Sequence, residues 1–308
     1  MFKIIFLLSL MSCNSSNKNP GNNPDNSLQN KNLKKNIFKN DFDKADNAIL
    51  NNNLEQLKEA IKDDDKILTL SYSESTFSGK TLLMQALDMQ NENPAIDRED
   101  IIEVLFKGSD LSVIDKNGFS VLHYAIFNEK YVQMILENEH IDVNCVTKNM
   151  NETPLMLAVS EGHLGSARIL LNNKNSNTFL INRDKENLLH RLATGIVYKN
   201  GKISVAFRDS DRKKKEEALK NYKNIFKLLA NSGKFNMKEA LNEKNIHGQT
   251  PLQLFENLID SNIDEDRKVV ETLNRFKEGS VQVYNREDEI LYWKEIKSIF
   301  LPLFQQKL

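Results

Sequence analysis

One short phrase recurs five times along the chain, and a recurring helix-starting phrase constrains the fold before any single residue is read. Its fullest copy is Asn151-Glu152-Thr153-Pro154-Leu155-Met156-Leu157-Ala158. The others are Gly79-Lys80-Thr81-Leu82-Leu83, Gly118-Phe119-Ser120-Val121-Leu122-His123-Tyr124-Ala125, Glu186-Asn187-Leu188-Leu189-His190 and Gly248-Gln249-Thr250-Pro251-Leu252. Aligned on Leu83, Leu122, Leu155, Leu189 and Leu252, the copies lie 39, 33, 34 and 63 residues apart. The shorter spacings set a period of about 33 residues, and the longer ones are that period with insertions of roughly 6 and 30.

Thr81, Ser120, Thr153 and Thr250 are residues that cap a helix by accepting bonds from its orphan N–H groups, and Pro154 and Pro251 then suit the first turn. Gly79, Gly118 and Gly248 supply a permissive turn just before the cap. Beyond each cap the apolar residues fall at helical spacing, as in Val132, Ile135 and Leu136. Short helix pairs of this size cannot bury an apolar face alone, so copies must stack on one another.

Residue by residue, the third copy resembles the ankyrin repeat. Asn151 to Val159 is similar to its Gly-x-Thr-Pro-Leu-His-x-Ala-Ala phrase, Glu161-Gly162-His163-Leu164 to its Gly-His turn, and Ala167-Arg168-Ile169-Leu170-Leu171 to its second helix. In the second copy Ile141-Asp142-Val143-Asn144-Cys145 resembles the closing Ala-Asp-Val-Asn-Ala. The resemblance implies an all-α ankyrin-repeat solenoid over 42–277, a degenerate capping pair at Phe42–Ile61 followed by five repeats. Repeat one takes Thr76–Ile114 with its insertion at Gln90–Arg98, repeat two Asp115–Thr147 and repeat three Lys148–Ile181. Repeat four starts at Asn182 with a large insertion at 194–215 and its second helix at Glu216–Asn231; repeat five starts at Asn245 with its second helix near Arg267–Lys277. Departures are that Pro opens only two of the five helices and that Lys185 stands where Gly is usual.

Inside the large insertion, Ile196-Val197-Tyr198-Lys199-Asn200-Gly201-Lys202-Ile203-Ser204-Val205 places two β-prone arms around Asn-Gly, which predicts a hairpin at 196–205. The Lys213-Lys214-Lys215 run is offset at once by Glu216-Glu217 and reads as a solvated helix start. From Arg286 onward, Ile290, Leu291, Trp293, Ile296, Ile299, Phe300, Leu303 and Phe304 form an apolar stripe at helical spacing. A capping helix within 278–308, covering the last repeat, is the expected role.

The N-terminus has a different character. Lys3 precedes the apolar run Ile4–Leu8, which continues through Leu10 and Met11 to Ser12-Cys13, the layout of a secretory signal and too short to span a bilayer. Leu10-Met11-Ser12-Cys13 resembles the lipobox of bacterial lipoproteins, which implies a signal peptide at 1–12 and acylation of Cys13. The Asn-, Ser- and Lys-rich stretch within 13–41 is expected to be a disordered tether, since it has too few apolar residues for a core. The expected location is the bacterial cell envelope; a cytoplasmic protein with an apolar start is the alternative.

Chemistry is harder to find. Ser78-Gly79-Lys80-Thr81 suggests a phosphate loop, but that motif needs Gly where Glu74 stands. The five histidines show no metal-ligand spacing: His123 and His190 fall at the Pro-Leu-His position of the resemblance, His163 in its Gly-His turn, and His140 and His247 read as exposed. Cys145 stands at a small packing position with no basic neighbour to activate it. Forty-two basic residues against 43 acidic argue against nucleic acid. No catalytic residue, metal or cofactor is expected, and the chain is expected to be monomeric.

The family resemblance instead implies a protein partner on the concave surface made by turn tips and first-helix ends. Its variable positions fall on Lys116, Asn117, Phe119, Phe127 and Asn128 in repeat two and on Asn149, Met150, Glu152, Ser160 and Glu161 in repeat three. Phe77 and Ile246 take turn positions in repeats one and five. Phe119 and Phe127 are the expected aromatic anchors. The expected function is a membrane-tethered, non-catalytic interaction scaffold. Alternatives are an inhibitor or chaperone of one envelope enzyme, a cytosolic interaction protein, and an enzyme using the hairpin as an active-site loop.

Overall fold

The computed structural model describes residues 41–62, 67–68, 79–201, 209–275 and 281–305. Cys13, the whole proposed signal and tether up to residue 40, Phe77, and the second arm of the expected hairpin (Ile203–Val205) lie outside them. The chain divides into two compact units, 1–116 and 117–308. All thirteen described helices are α-helices and no described residue belongs to a strand.

In the first unit α1 (41–50) and α2 (Leu54–Ile61) join through a turn at Asn51–Asn53. The turn works because Asn52 accepts a left-handed backbone, φ 52°, and the Asn53 side chain caps α2 by accepting from the Gln56 N–H at 3.0 Å. Phe42, Ala45, Ala48 and Ile49 bury one face of α1, and Leu57 and Ala60 one face of α2. Next comes repeat one, as α3 (Leu82–Glu92), capped by Thr81, and α4 (Glu99–Gly108), which buries Ile101, Ile102 and Leu105. The extra residues that lengthen this copy sit between α3 and α4.

In the second unit the helices are α5 (Val121–Ala125), α6 (Glu129–Leu136), α7 (Pro154–Glu161), α8 (Leu164–Asn172), α9 (Leu188–Gly201), α10 (Asp209–Asn231), α11 (Met237–Ala240), α12 (Pro251–Arg275) and α13 (Val281–Phe304). They form two layers. First helices pack in the order α5, α7, α9, α12, and second helices in the order α6, α8, α10, α13. The caps do what the sequence predicts: Thr153 Oγ1 accepts from Met156 N–H at 3.1 Å and Thr250 Oγ1 from Gln253 N–H at 3.3 Å. At the fourth copy Asn187 is the cap, its side chain accepting from Leu189 and His190 N–H.

Two expectations fail here. Residues 196–201 form no hairpin arm; they are the last turns of α9. Leu188, Leu189, Leu192, Ala193, Ile196 and Val197 are all buried, so Ile196 and Val197 continue a helical stripe. Gly195 lies so close to α7 that a Cβ there would stand 2.2 Å from the Ser160 carbonyl oxygen. Burial against α7 outweighs the β-propensity of the isolated stretch. Likewise repeat five has no separate second helix near Arg267: α12 runs unbroken over 25 residues. The outer-layer place beside α10 is filled by α13, whose Phe300 and Phe304 meet Phe255 of α12 while Phe304 also meets Phe226 of α10.

The five copies share one backbone feature. Gly79, Gly118, Asn151, Lys185 and Gly248 all have positive φ, between 55° and 84°. At Gly118 a Cβ would lie 2.7 Å from the Lys148 nitrogen and 2.9 Å from the Val146 oxygen, whereas at Gly248 nothing lies within 4 Å. Gly248→Ala should therefore cost only backbone strain, about 1–2 kcal/mol. Gly118→Ala should cost at least about twice that, since backbone must also move. Urea unfolding of the two variants measures the contrast, and equal losses would refute it.

Candidate functional site

The turns of the second unit are built alike. In each, the first residue closes the loop twice, once through its backbone and once through its side chain. Thr147 N–H donates to the Glu152 carbonyl at 3.0 Å while Thr147 Oγ1 accepts from Glu152 N–H at 3.1 Å. Asn182 does the same with Glu186, at 3.0 and 2.8 Å, and Asn245 with Gln249, both at 3.0 Å. Successive turns are then laced together: Lys148 N–H donates to the Asn117 carbonyl and Arg183 N–H to that of Met150, both at 2.7 Å, and Ile246 N–H to that of Asp184 at 2.9 Å. The result is a ladder of hydrogen-bonded turns joining repeats two to five.

Histidines pin this ladder to the helices behind it. His123 Nδ1 accepts from Ser120 N–H at 3.0 Å, and its Nε2 donates to the Glu152 carbonyl, also 3.0 Å away, in the next repeat. A carbonyl can only accept and an amide N–H can only donate, so the proton is on Nε2, Nδ1 carries none, and the ring is neutral. Burial lowers its pKa to about 4, partly opposed by the bond to Glu152. His190 repeats the arrangement two repeats later, in repeat four, reaching the Gln249 carbonyl at 2.9 Å, and burial lowers its pKa as well.

Between repeats three and four, where the equivalent residue is the buried Met156, an ion pair takes over. Arg191 of α9 stands 2.6 Å from Glu152 and 3.2 Å from Glu186. Burial raises the Glu152 pKa, Arg191 opposes this, and Glu186, Glu161 and Asp184 add to it. Beside this group the Tyr222 hydroxyl of α10 donates to the Ser160 carbonyl at 2.8 Å, and burial holds its pKa well above the usual value.

The residues expected to meet a partner divide accordingly. Glu152 and Ser160 are 3 and 5% exposed and are framework rather than surface: Glu152 is committed to Arg191, and Ser160 is covered by α9 and α10. Phe119 is half-buried, its ring 5.4 Å from that of His123 and 5.8 Å from that of Tyr124. Phe127 stays exposed, edge-on to His163 at 4.9 Å. Asn128 is exposed but caps α6 through Lys130 N–H. Asn117 and Asn149 are exposed on the ladder, and Met150 and Glu161 are half-buried. Lys116 is exposed at the end of the first unit.

Three exposed apolar residues of the second unit escape the sequence reading: Val146, Phe179 and Ile181. Val146 and Ile181 each precede the residue that opens a turn, Thr147 and Asn182. That shared register, with no packing need at either position, is the signal that could have found them. Ile246, read from sequence as a turn residue, is exposed one turn further on. Among the described residues no group of three or more His, Cys, Asp or Glu is arranged to hold a metal, and no helix is long and apolar enough to cross a membrane.

Residues 94–182 match the family described as ankyrin repeats, in three copies. No curated protein matches the chain. The architecture is an all-α ankyrin-repeat solenoid, and the left-handed turn residues Lys185 and Gly248 carry its register past the matched segment. Ankyrin repeats serve protein–protein interaction in general, and the family is generally non-catalytic.

The neutral state of His123 has a pH signature. Its folded pKa of about 4 lies below the usual 6.5, so the stability it contributes is complete above about pH 6.5 and is lost as pH falls through 4. Glu152, with a raised pKa, acts in the opposite sense. Comparing wild type with His123→Asn at each pH isolates the histidine: the advantage of wild type should shrink by roughly 3 kcal/mol between neutral pH and pH 4. A constant advantage across that range would refute a neutral buried ring.

Proposed function

We propose that this chain is a non-catalytic protein-binding scaffold, held at a bacterial membrane through acylated Cys13, that takes its partner on the turn ladder of repeats two to five. One observation carries the reading: Val146, Ile181 and Ile246 are 41, 46 and 51% exposed on consecutive turns joined by hydrogen bonds. Exposed apolar residues scattered singly are ordinary, but Val146 and Ile181 repeat one register on neighbouring turns and Ile246 lies on the next, so a partner spanning the ladder meets an apolar side chain at each turn. The ladder is pre-organised, so binding there orders little of the receptor's own backbone. Phe127 adds an exposed aromatic ring, the residue type that most often anchors such contacts.

The membrane half of the proposal rests on the charge–apolar–Ser12–Cys13 layout and the polar stretch behind it. A single acyl chain holds a protein marginally, so stable attachment needs a second signal, from further acylation or from the protein surface.

Two measurements test the two halves separately. In-cell cross-linking should capture a defined protein that is lost when Phe127→Ala, Val146→Ser and Ile181→Ser are combined, with the thermal melt unchanged. Equal capture by that variant would move the site off the ladder. Metabolic labelling with a fatty-acid analogue should mark wild type and not Cys13→Ser; an unlabelled wild type would make the chain a cytosolic interaction protein.

A further inference from the structure

Helix α10 carries a charge pattern that the run at Lys213–Lys215 alone does not reveal. Leu219, Tyr222, Ile225, Phe226 and Leu229 bury one face of it. On the opposite face Lys213, Lys220 and Lys227 recur every seven residues, with Lys214 and Lys223 beside them, and all five are exposed. Seven residues is close to two helical turns, so the three form a nearly straight line about 21 Å long. Among the described residues, no ion pair involves Lys220, Lys223 or Lys227. Only Glu216 and Glu217 are exposed acids on the helix within the residues whose side chains are described.

Charge is sorted between helices rather than spread evenly. The whole chain has 42 basic and 43 acidic residues, yet α10 has seven basic against four acidic while α12 has three against six. Uniform Lys-rich composition would not produce opposite signs on two helices of one unit. The aromatic residues of α10, Tyr222 and Phe226, face inward, so the helix offers no ring on which a nucleobase could stack. A straight row of ammonium groups without aromatics suits a flat anionic surface.

We propose that the exposed face of α10 docks on an anionic lipid bilayer, its lysines pairing with phosphodiester headgroups. This rests on the membrane-bound reading of the chain and adds an electrostatic attachment beside the lipid one. Each lysine brought to such a surface strengthens binding about fivefold. The attraction falls with salt, because exposed charges are screened.

The test uses the full chain with Cys13→Ser, so that no acyl group contributes, and vesicles of phosphatidylcholine with or without phosphatidylglycerol. Co-sedimentation should occur only with phosphatidylglycerol and weaken as sodium chloride rises. Combining Lys213→Gln, Lys220→Gln and Lys227→Gln should reduce binding on the order of 100-fold. Glu216→Gln with Glu217→Gln should instead strengthen it, an outcome that misfolding could not produce. Absence of binding to anionic vesicles, or equal binding by the triple variant, overturns the proposal. So does preference for duplex or single-stranded DNA over vesicles, or a lysine-dependent dimer through the acidic α12. Failure of fatty-acid labelling at Cys13 leaves the vesicle result intact, so the two readings fall separately.

Discussion

A single residue held in the left-handed conformation at the tip of each turn is the constraint on which the rest of the structure depends. It bends the chain so that the turn-opening residue can close the loop with backbone and side chain together. Closure then points an N–H group at the preceding turn. What repeats is the conformation, not glycine: Asn151 and Lys185 adopt it at φ 55° and 57°. Among these five tips, Gly118 is the one glycine whose added Cβ would come within 3.0 Å of a neighbour, the backbone of the next turn. Asn accepts this region readily, and Lys accepts it at a cost that its turn's other bonds offset.

The repeats are joined behind the ladder by buried polar groups whose type alternates. His123 links repeat two to three, Glu152–Arg191 links three to four, and His190 links four to five. A polar group left unpaired in such a place costs about 1–3 kcal/mol, more if charged, which favours partners at both ends of each link. His123 is held at both ends, by Ser120 and by Glu152; Arg191 pairs with Glu152 and Glu186 through its terminal nitrogens, while its buried Nε has no hydrogen bond among the described residues. Glu152 serves two links at once, its carbonyl receiving His123 and its carboxylate Arg191. That double commitment removes it from any partner's reach. In repeat five Gln253 takes the capping part alone, its side-chain oxygen accepting from Thr250 N–H at 3.0 Å.

What was legible in the sequence is what local chemistry decides. Cap, left-handed residue and first apolar residue stand within five positions of each other, so the five copies could be aligned without any tertiary information. The same locality explains the misreadings. Ile196 and Val197 fit a strand arm as well as a helix stripe, and the choice belongs to α7, more than thirty residues away, through its approach to Gly195. Glu152 sits at a position that is surface in the resembling family, and only Arg191, far along the chain, makes it interior. Exposed Val146 and Ile181 escaped because apolar residues next to a buried turn look like packing until the geometry shows otherwise. Cys13 and the stretch around it remain a sequence argument alone, since they lie outside the described residues.

The end of the second unit shows how a stack closes when a repeat does not fold back. No Gly or Pro interrupts the chain between Leu252 and Arg275, so the helix of repeat five runs on and cannot return to cover α10. That would leave Phe226 and Phe255 facing water. The C-terminal helix covers them instead, with Phe300 and Phe304 completing an aromatic group of four. Such rings bury much area with only two rotatable bonds each, which lets one helix do the work of a whole terminal repeat. The Lys297–Asp260 pair, at 2.7 Å, ties the same two helices on their outer edge, where its contribution is small. The aromatic contacts therefore set the register of α13 on α12, and the ion pair follows from it.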